Sequence, residues 1–110
     1  MDRIKEIQDG IKVFHLRGRL DSNTSQKLED ELFRAISDGS NKIIVDFENV
    51  DYISSAGLQV ILEAYHRILR EDGQFIFCSM QKHIREIFKA TGIDDLVLIL
   101  DNMNQAIEAF

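Results

Sequence analysis

At 110 residues the chain is the size of one ordinary domain, long enough to bury a core and too short for two. Its hydrophobic fraction of 45% and charged fraction of 29% are those of a globular protein, and no apolar run approaches the roughly 20 residues that cross a bilayer, so membrane insertion is not expected. The net charge of −6, from 13 Lys and Arg against 19 Asp and Glu, opposes a polyanion; nucleic acid is not an expected partner, and a protein with a basic face fits better.

The first ten residues mix charges of both signs and lack the apolar core of a signal peptide, which places the chain in the cytoplasm as an expectation. The lone Cys78 agrees, because one cysteine makes no internal disulfide.

A short strand around Ile4 to Ile7 and a second over "IKVFHLRG" are expected to form a hairpin turned at Asp9-Gly10, with Ile11 and Val13 on one face and Phe14 and Leu16 on the other. "DSNTSQKLEDELFRAISDG" starts with cap residues, continues with Leu28, Leu32, Phe33 and Ile36 at helical spacing and closes at Gly39, which predicts a first helix. "KIIVDF" is continuously apolar from Ile43 to Val45 and β-branched, the pattern of a strand covered on both faces, and Asp46 is expected at its end.

The most informative segment follows. From Leu58 onward, Leu58, Ile61, Leu62, Tyr65, Ile68 and Leu69 recur at helical spacing, and "SSAG" stands at the mouth of that helix, so Ser54 and Ser55 fall at or beside its N-cap. A helix start carries unpaired amides and partial positive charge, which favour a phosphate there; Ser is also an ordinary capping residue. Asp72-Gly73 ends this helix. "QFIFCS" predicts a buried strand holding an inert thiol at Cys78, "KHIREIFKATG" a short helix stopped by Gly92, "LVLIL" an edge or near-edge strand, and "DNMNQAIEAF" a closing helix capped by Asp101.

Strands alternating with helices after a hairpin imply an α/β domain with a mixed sheet, in which loops leaving the carboxyl ends of strands carry function. Two such loops are expected, Leu20 to Thr24 and Asp46 to Ser55. An enzyme is not. Ile53-Ser54-Ser55-Ala56-Gly57 lacks the first glycine of a nucleophile elbow, His15 sits in a strand, and His66 and His83 lie along helices. No closely spaced metal-ligating set and no glycine-rich phosphate loop is present in the sequence. Asp46 could imitate the aspartyl acceptor of a receiver domain, but the acidic pair and the lysine of that family are missing; bonding of backbone amides in a turn is the simpler role. Asp21 is read either as the starter of the first helix or as a partner-facing carboxylate.

Together, Gly18 to Asp21, Asp46-Phe47 leading to Ser55 to Leu58, and "GQFIFCS" resemble the STAS domain of bacterial anti-sigma factor antagonists, over essentially residues 1–110. The resemblance implies a single STAS-like α/β domain with a mixed β-sheet, an N-terminal hairpin and about four helices. It implies that Ser55 is phosphorylated by a cognate anti-sigma factor that is itself a serine kinase, with Ser54 as the alternative acceptor, and that the unmodified chain binds that kinase and frees a sigma factor. The partner-binding residues implied are Asp21, Ser22, Asp46, Ser54, Ala56, Gly57 and Gln59. ATP and magnesium would belong to the kinase, so this chain needs no cofactor of its own and is expected to be monomeric when free. Two positions depart from many relatives: Ser54 stands where they carry Asp, and Ala56 where they carry a second hydroxyl. The alternative function is a STAS module of a lipid-transport system or signalling scaffold without a sigma factor.

Overall fold

The computed structural model describes residues 3–7 and 10–110. Strand β1 (Arg3–Ile7) pairs antiparallel with β2 (Ile11–Leu20), and β3 (Lys42–Ile53), β4 (Gln74–Cys78) and β5 (Leu98–Leu100) follow β2 in parallel, giving a mixed sheet in the order β1-β2-β3-β4-β5. Helices α1 (Ser22–Ser37), α2 (Ser55–Arg70), α3 (Lys82–Ala90) and α4 (Met103–Glu108) fill the connections and close the chain. At the hairpin, Gly10 has φ +74, as a tight turn requires; Asp9 lies outside the described residues.

Alternation along the strands sorts the side chains into two cores. Phe14, Leu16, Ile43, Val45, Phe47 and Phe77 pack with α1, α2 and α3, while Ile11, Val13, Ile44, Ile76 and Cys78 meet Ala106, Met103 and Ile107 of α4. The larger core is centred on Phe47, Phe77 and Phe88, whose ring centroids stand 5.4 to 5.9 Å apart at tilted or edge-on angles, the geometry aromatic pairs prefer. Cys78 is fully buried, and burial pushes its thiol up to about 11.

Four sequence expectations are corrected here. β3 does not end at Asp46 but runs on to Ile53, so the expected loop from Asp46 to Ser55 is almost all strand, and β2 runs on to Leu20 with α1 starting at Ser22, so the expected loop from Leu20 to Thr24 shrinks to Asp21. The apolar stripe of α2 is rotated by about one position: Gly57, Val60, Ile61, Ala64 and Ile68 are buried, Leu58, Leu62 and Tyr65 are half-buried, and Leu69 is 47% exposed. His83 lies in the first turn of α3, where its Nε2 bonds Asp51 O at 2.7 Å. The cap of α4 is Asn102, whose side-chain oxygen accepts from the Gln105 amide at 2.9 Å, and not Asp101.

Candidate functional site

With β2 ending at Leu20 and β3 at Ile53, each strand passes to its helix through a single residue, Asp21 or Ser54. Each of these is the N-cap, held in extended backbone, and a serine follows it at the first helical position: Ser22 in α1, Ser55 in α2. The two turns are tied together by the Ser54 amide, which donates to Leu20 O at 2.8 Å, extending the β2-β3 ladder past the last strand residue.

The caps differ in strength. Asp21 Oδ1 accepts from the Asn23 amide at 3.0 Å and the Thr24 amide at 3.1 Å, while the Asp21 amide donates back to Thr24 Oγ1 at 2.9 Å, a complete capping box. These amides, that of Thr24 foremost, hold the Asp21 carboxyl below its ordinary value of 3.8, with Arg19 Nε 3.9 Å from Oδ2 as a lesser cause. Ser54 is neutral and its Oγ accepts one amide, Gly57 N, at 3.3 Å. Its hydroxyl is thus engaged in the helix, whereas Ser55 is exposed and takes no part in the cap.

Why α2 can start here follows from Gly57. A Cβ at this position would stand 2.9 Å from Ile53 Cγ1 and 3.0 Å from Leu20 O, so only a residue without one lets the first turn of α2 settle onto the ends of both strands.

Of the residues implied to bind a partner, the fold brings Asp21, Ser22, Ser54, Ala56 and Gln59 together around Ser55. Ser22, Ala56 and Gln59 line a shallow groove of about 250 Å³ between α1 and α2, with Ser25, Gln26, Glu29, Val60 and Glu63 completing it. Gln26 and Glu63, one helical turn beyond Ser22 and Gln59, were not singled out from sequence, although that spacing marks them as neighbours on the same faces. Gly57 is buried against Leu20 and Ile53 and supports the surface from beneath. Asp46 is not at this surface. It lies eight residues before Ser54, more than about 20 Å along the strand, and is 9% exposed. There Oδ2 accepts from His15 Nδ1 at 2.8 Å and Oδ1 from the Glu48 amide at 2.9 Å, so its carboxylate is satisfied within the domain, partly by the local amide bond expected of it.

Among the described residues no helix is long and apolar enough to cross a membrane, and no group of three or more His, Cys, Asp or Glu could hold a metal ion.

The model of the STAS domain family matches residues 2–106. The chain is 31% identical over its full length to a Bordetella bronchiseptica protein named as an anti-sigma factor antagonist, BtrV, covering 91% of that protein. It is 30% identical over 90 residues to the anti-sigma-B factor antagonist of Staphylococcus aureus, 82% of this chain and 83% of the relative. Two solved structures share the fold: one described as an anti-sigma factor antagonist from Thermotoga maritima, with a TM-score of 0.93 at 23% identity over 98% of this chain and 92% of that one, and unphosphorylated SpoIIAA, with a TM-score of 0.81 at 20% identity over 99% and 96%. With the two-cap surface at the ends of β2 and β3 and a family match across nearly every residue, the chain belongs to the STAS-domain family of anti-sigma factor antagonists.

Proposed function

We propose that this chain is an anti-sigma factor antagonist whose unmodified form binds a cognate anti-sigma factor serine kinase through the paired starts of α1 and α2, and that phosphorylation of Ser55 switches the binding off and leaves the sigma factor captured. The observation that carries the reading is the division of labour between neighbouring serines: Ser54 holds the cap, and Ser55 presents a hydroxyl to solvent beside the α1-α2 groove. A kinase needs a hydroxyl it can reach, and Ser55 offers one that takes no part in the cap, whereas modifying Ser54 would give up its bond from the Gly57 amide.

The switch is electrostatic. A phosphate adds about −1.5 to −2 charges next to Asp21, on a surface the partner must desolvate. Like charges brought together at an interface cost several kcal/mol, whereas a phosphate at a helix start is locally favoured by about 1 kcal/mol. The complex is therefore weakened while the domain keeps its fold. ATP, metal and catalytic base belong to the kinase, and this chain contributes the acceptor.

Incubation with the cognate kinase and ATP should add one phosphate, mapped by mass spectrometry to Ser55, and Ser55→Ala should accept none. Phosphate on Ser54, or persisting in Ser55→Ala, would overturn the assignment; a transport subunit as the protein held by the unmodified chain, with no kinase, would favour a transport-associated module instead.

A further inference from the structure

A separate concavity lies at the other ends of α1 and α2. Ile36, Ser37, Gly39, Arg67, Arg70 and Glu71 surround it, and its volume is about 260 Å³. Arg67 is twelve residues from Ser55, about 18 Å along the helix at 1.5 Å per residue.

Arginines in the last turn of a helix ordinarily answer its terminal carbonyls. These do not. The end of α2 is closed by its own backbone, the Glu71 and Gly73 amides donating to Ile68 O at 3.1 and 2.9 Å and the Asp72 amide to Leu69 O at 3.0 Å. Arg67 instead reaches across to α1 and lies over the Phe33 ring, 4.4 Å from its centroid. Held over an aromatic ring, the guanidinium has fewer positions to choose from, which lowers the entropy lost when it meets a carboxylate. Neither Arg67 nor Arg70 forms an ion pair among the described residues, in a chain with six more acids than bases.

We propose that this concavity is a second contact for the protein partner of the Ser55 surface, with Arg67 and Arg70 holding a carboxylate of that partner. The inference rests on the reading of Ser55 given above and extends its footprint to a second concavity on the same pair of helices, the first rimmed by Glu29 and Glu63 near the serine and the second carrying Arg67 and Arg70. A partner segment that meets both is read for direction, because reversing it sets its carboxylates against Glu29 and Glu63. An acidic protein segment is favoured over a free phosphate or a nucleic acid: both helices bring their carbonyl ends here and Glu71 stands on the rim, so a compact multiple charge is repelled where a single carboxylate is tolerated.

The test uses the full chain in two arms. In the first, Arg67→Ala combined with Arg70→Ala is expected to weaken binding of the kinase by about tenfold and to flatten its salt dependence, with an unchanged melting temperature. In the second, the isotope-labelled chain is titrated with hexaglutamate and, separately, with inorganic phosphate. Hexaglutamate should shift the amides of Ile36 to Gly39 and Arg67 to Glu71 and fail to do so in the double variant. Unchanged kinase affinity in a folded double variant, peptide shifts centred on Arg17 and Arg19, no shifts, or equal saturation by phosphate would each overturn the proposal. If no kinase phosphorylates Ser55, the reading of that residue fails by itself, and the peptide arm still decides the second concavity.

Discussion

Replacing Gly57 with alanine tests how the fold sets the position of the acceptor serine. The added methyl would stand 2.9 Å from Ile53 Cγ1, 3.0 Å from Leu20 O and 3.2 Å from Leu20 Cβ. The isoleucine could yield by a rotamer change, but Leu20 O is pinned by its 2.8 Å bond from the Ser54 amide, so the first turn of α2 must lift instead. Overpacking of this kind costs about 1–3 kcal/mol, and exchanging glycine for alanine within a helix returns at most about 1 kcal/mol. Because one of the contacts is with a pinned backbone oxygen, the upper part of the overpacking range applies, and a net loss of about 1–2 kcal/mol is expected. Because a chain of 110 residues changes its melting temperature by about 4 °C per kcal/mol, calorimetry should record a fall of about 4–8 °C. The lifted turn carries Ser55 away from Asp21, so kinase affinity should fall as well, at a temperature where the variant is fully folded. An alanine variant as stable as the parent, or more stable, would refute the claim that close approach of this backbone to β2 and β3 builds the site.

Three further outcomes are expected. Ser55→Asp should weaken the kinase complex at least about tenfold, by interfacial like-charge repulsion, while thermal melting stays within about 2 °C, since an acid at a helix start is favourable; a large melting loss would make Ser55 a structural residue. Asp46→Ala should cost about 2 kcal/mol in urea unfolding, because the His15 ring and the Glu48 amide lose their acceptor in a half-buried place, and it should leave kinase affinity unchanged; the reverse pattern would return Asp46 to the interface. The Asp21 carboxyl is held below 3.8, so the folded chain takes up that proton less readily than the unfolded one; its contribution is complete above 3.8 and is lost as pH falls through the lower folded value. Asp21→Asn keeps the capping oxygen and removes the charge, so its melting temperature should fall less steeply with acid than that of the parent, and identical acid profiles would refute the assignment.

The elements that a single sequence makes legible are those whose signal is local. Leu28, Leu32 and Ile36 mark α1, Ile43 to Val45 mark a strand buried on both faces, and the cap residues Asp21 and Ser54 stand where the helices begin. The ends of β2 and β3 were hidden because register shifts at His15/Arg17 and Gly18/Arg19 break the two-residue alternation, and the polar residues there read as loop. On α2, Gly57 and Ala64 contribute nothing to a count of apolar side chains, yet they mark the line along which the helix touches the sheet. The pairing of His15 with Asp46 spans 31 residues of sequence and left no local trace, so a satisfied structural carboxylate looked like a candidate contact. At the site, the serine doublet was visible, but which hydroxyl caps and which is exposed depended on backbone angles at Ser54. Asp101 and Asn102 pose the same problem at α4, two good capping residues in succession distinguished only by where the helix begins.

The strands lie in the sheet in the order in which they occur in the chain. During synthesis, therefore, each new strand finds the edge it needs already made, and none has to be inserted between two partners that have paired without it. The hairpin of β1 and β2 can form first, each parallel strand can then add to the growing edge as its helix emerges, and β5 with α4 arrives last. Until α4 arrives, the face carrying Ile11, Val13, Ile44, Ile76 and Cys78 remains open to water. The residues gathered around Ser55 lie on β2, α1, β3 and α2, so they are synthesised before the element that covers the opposite face of the sheet.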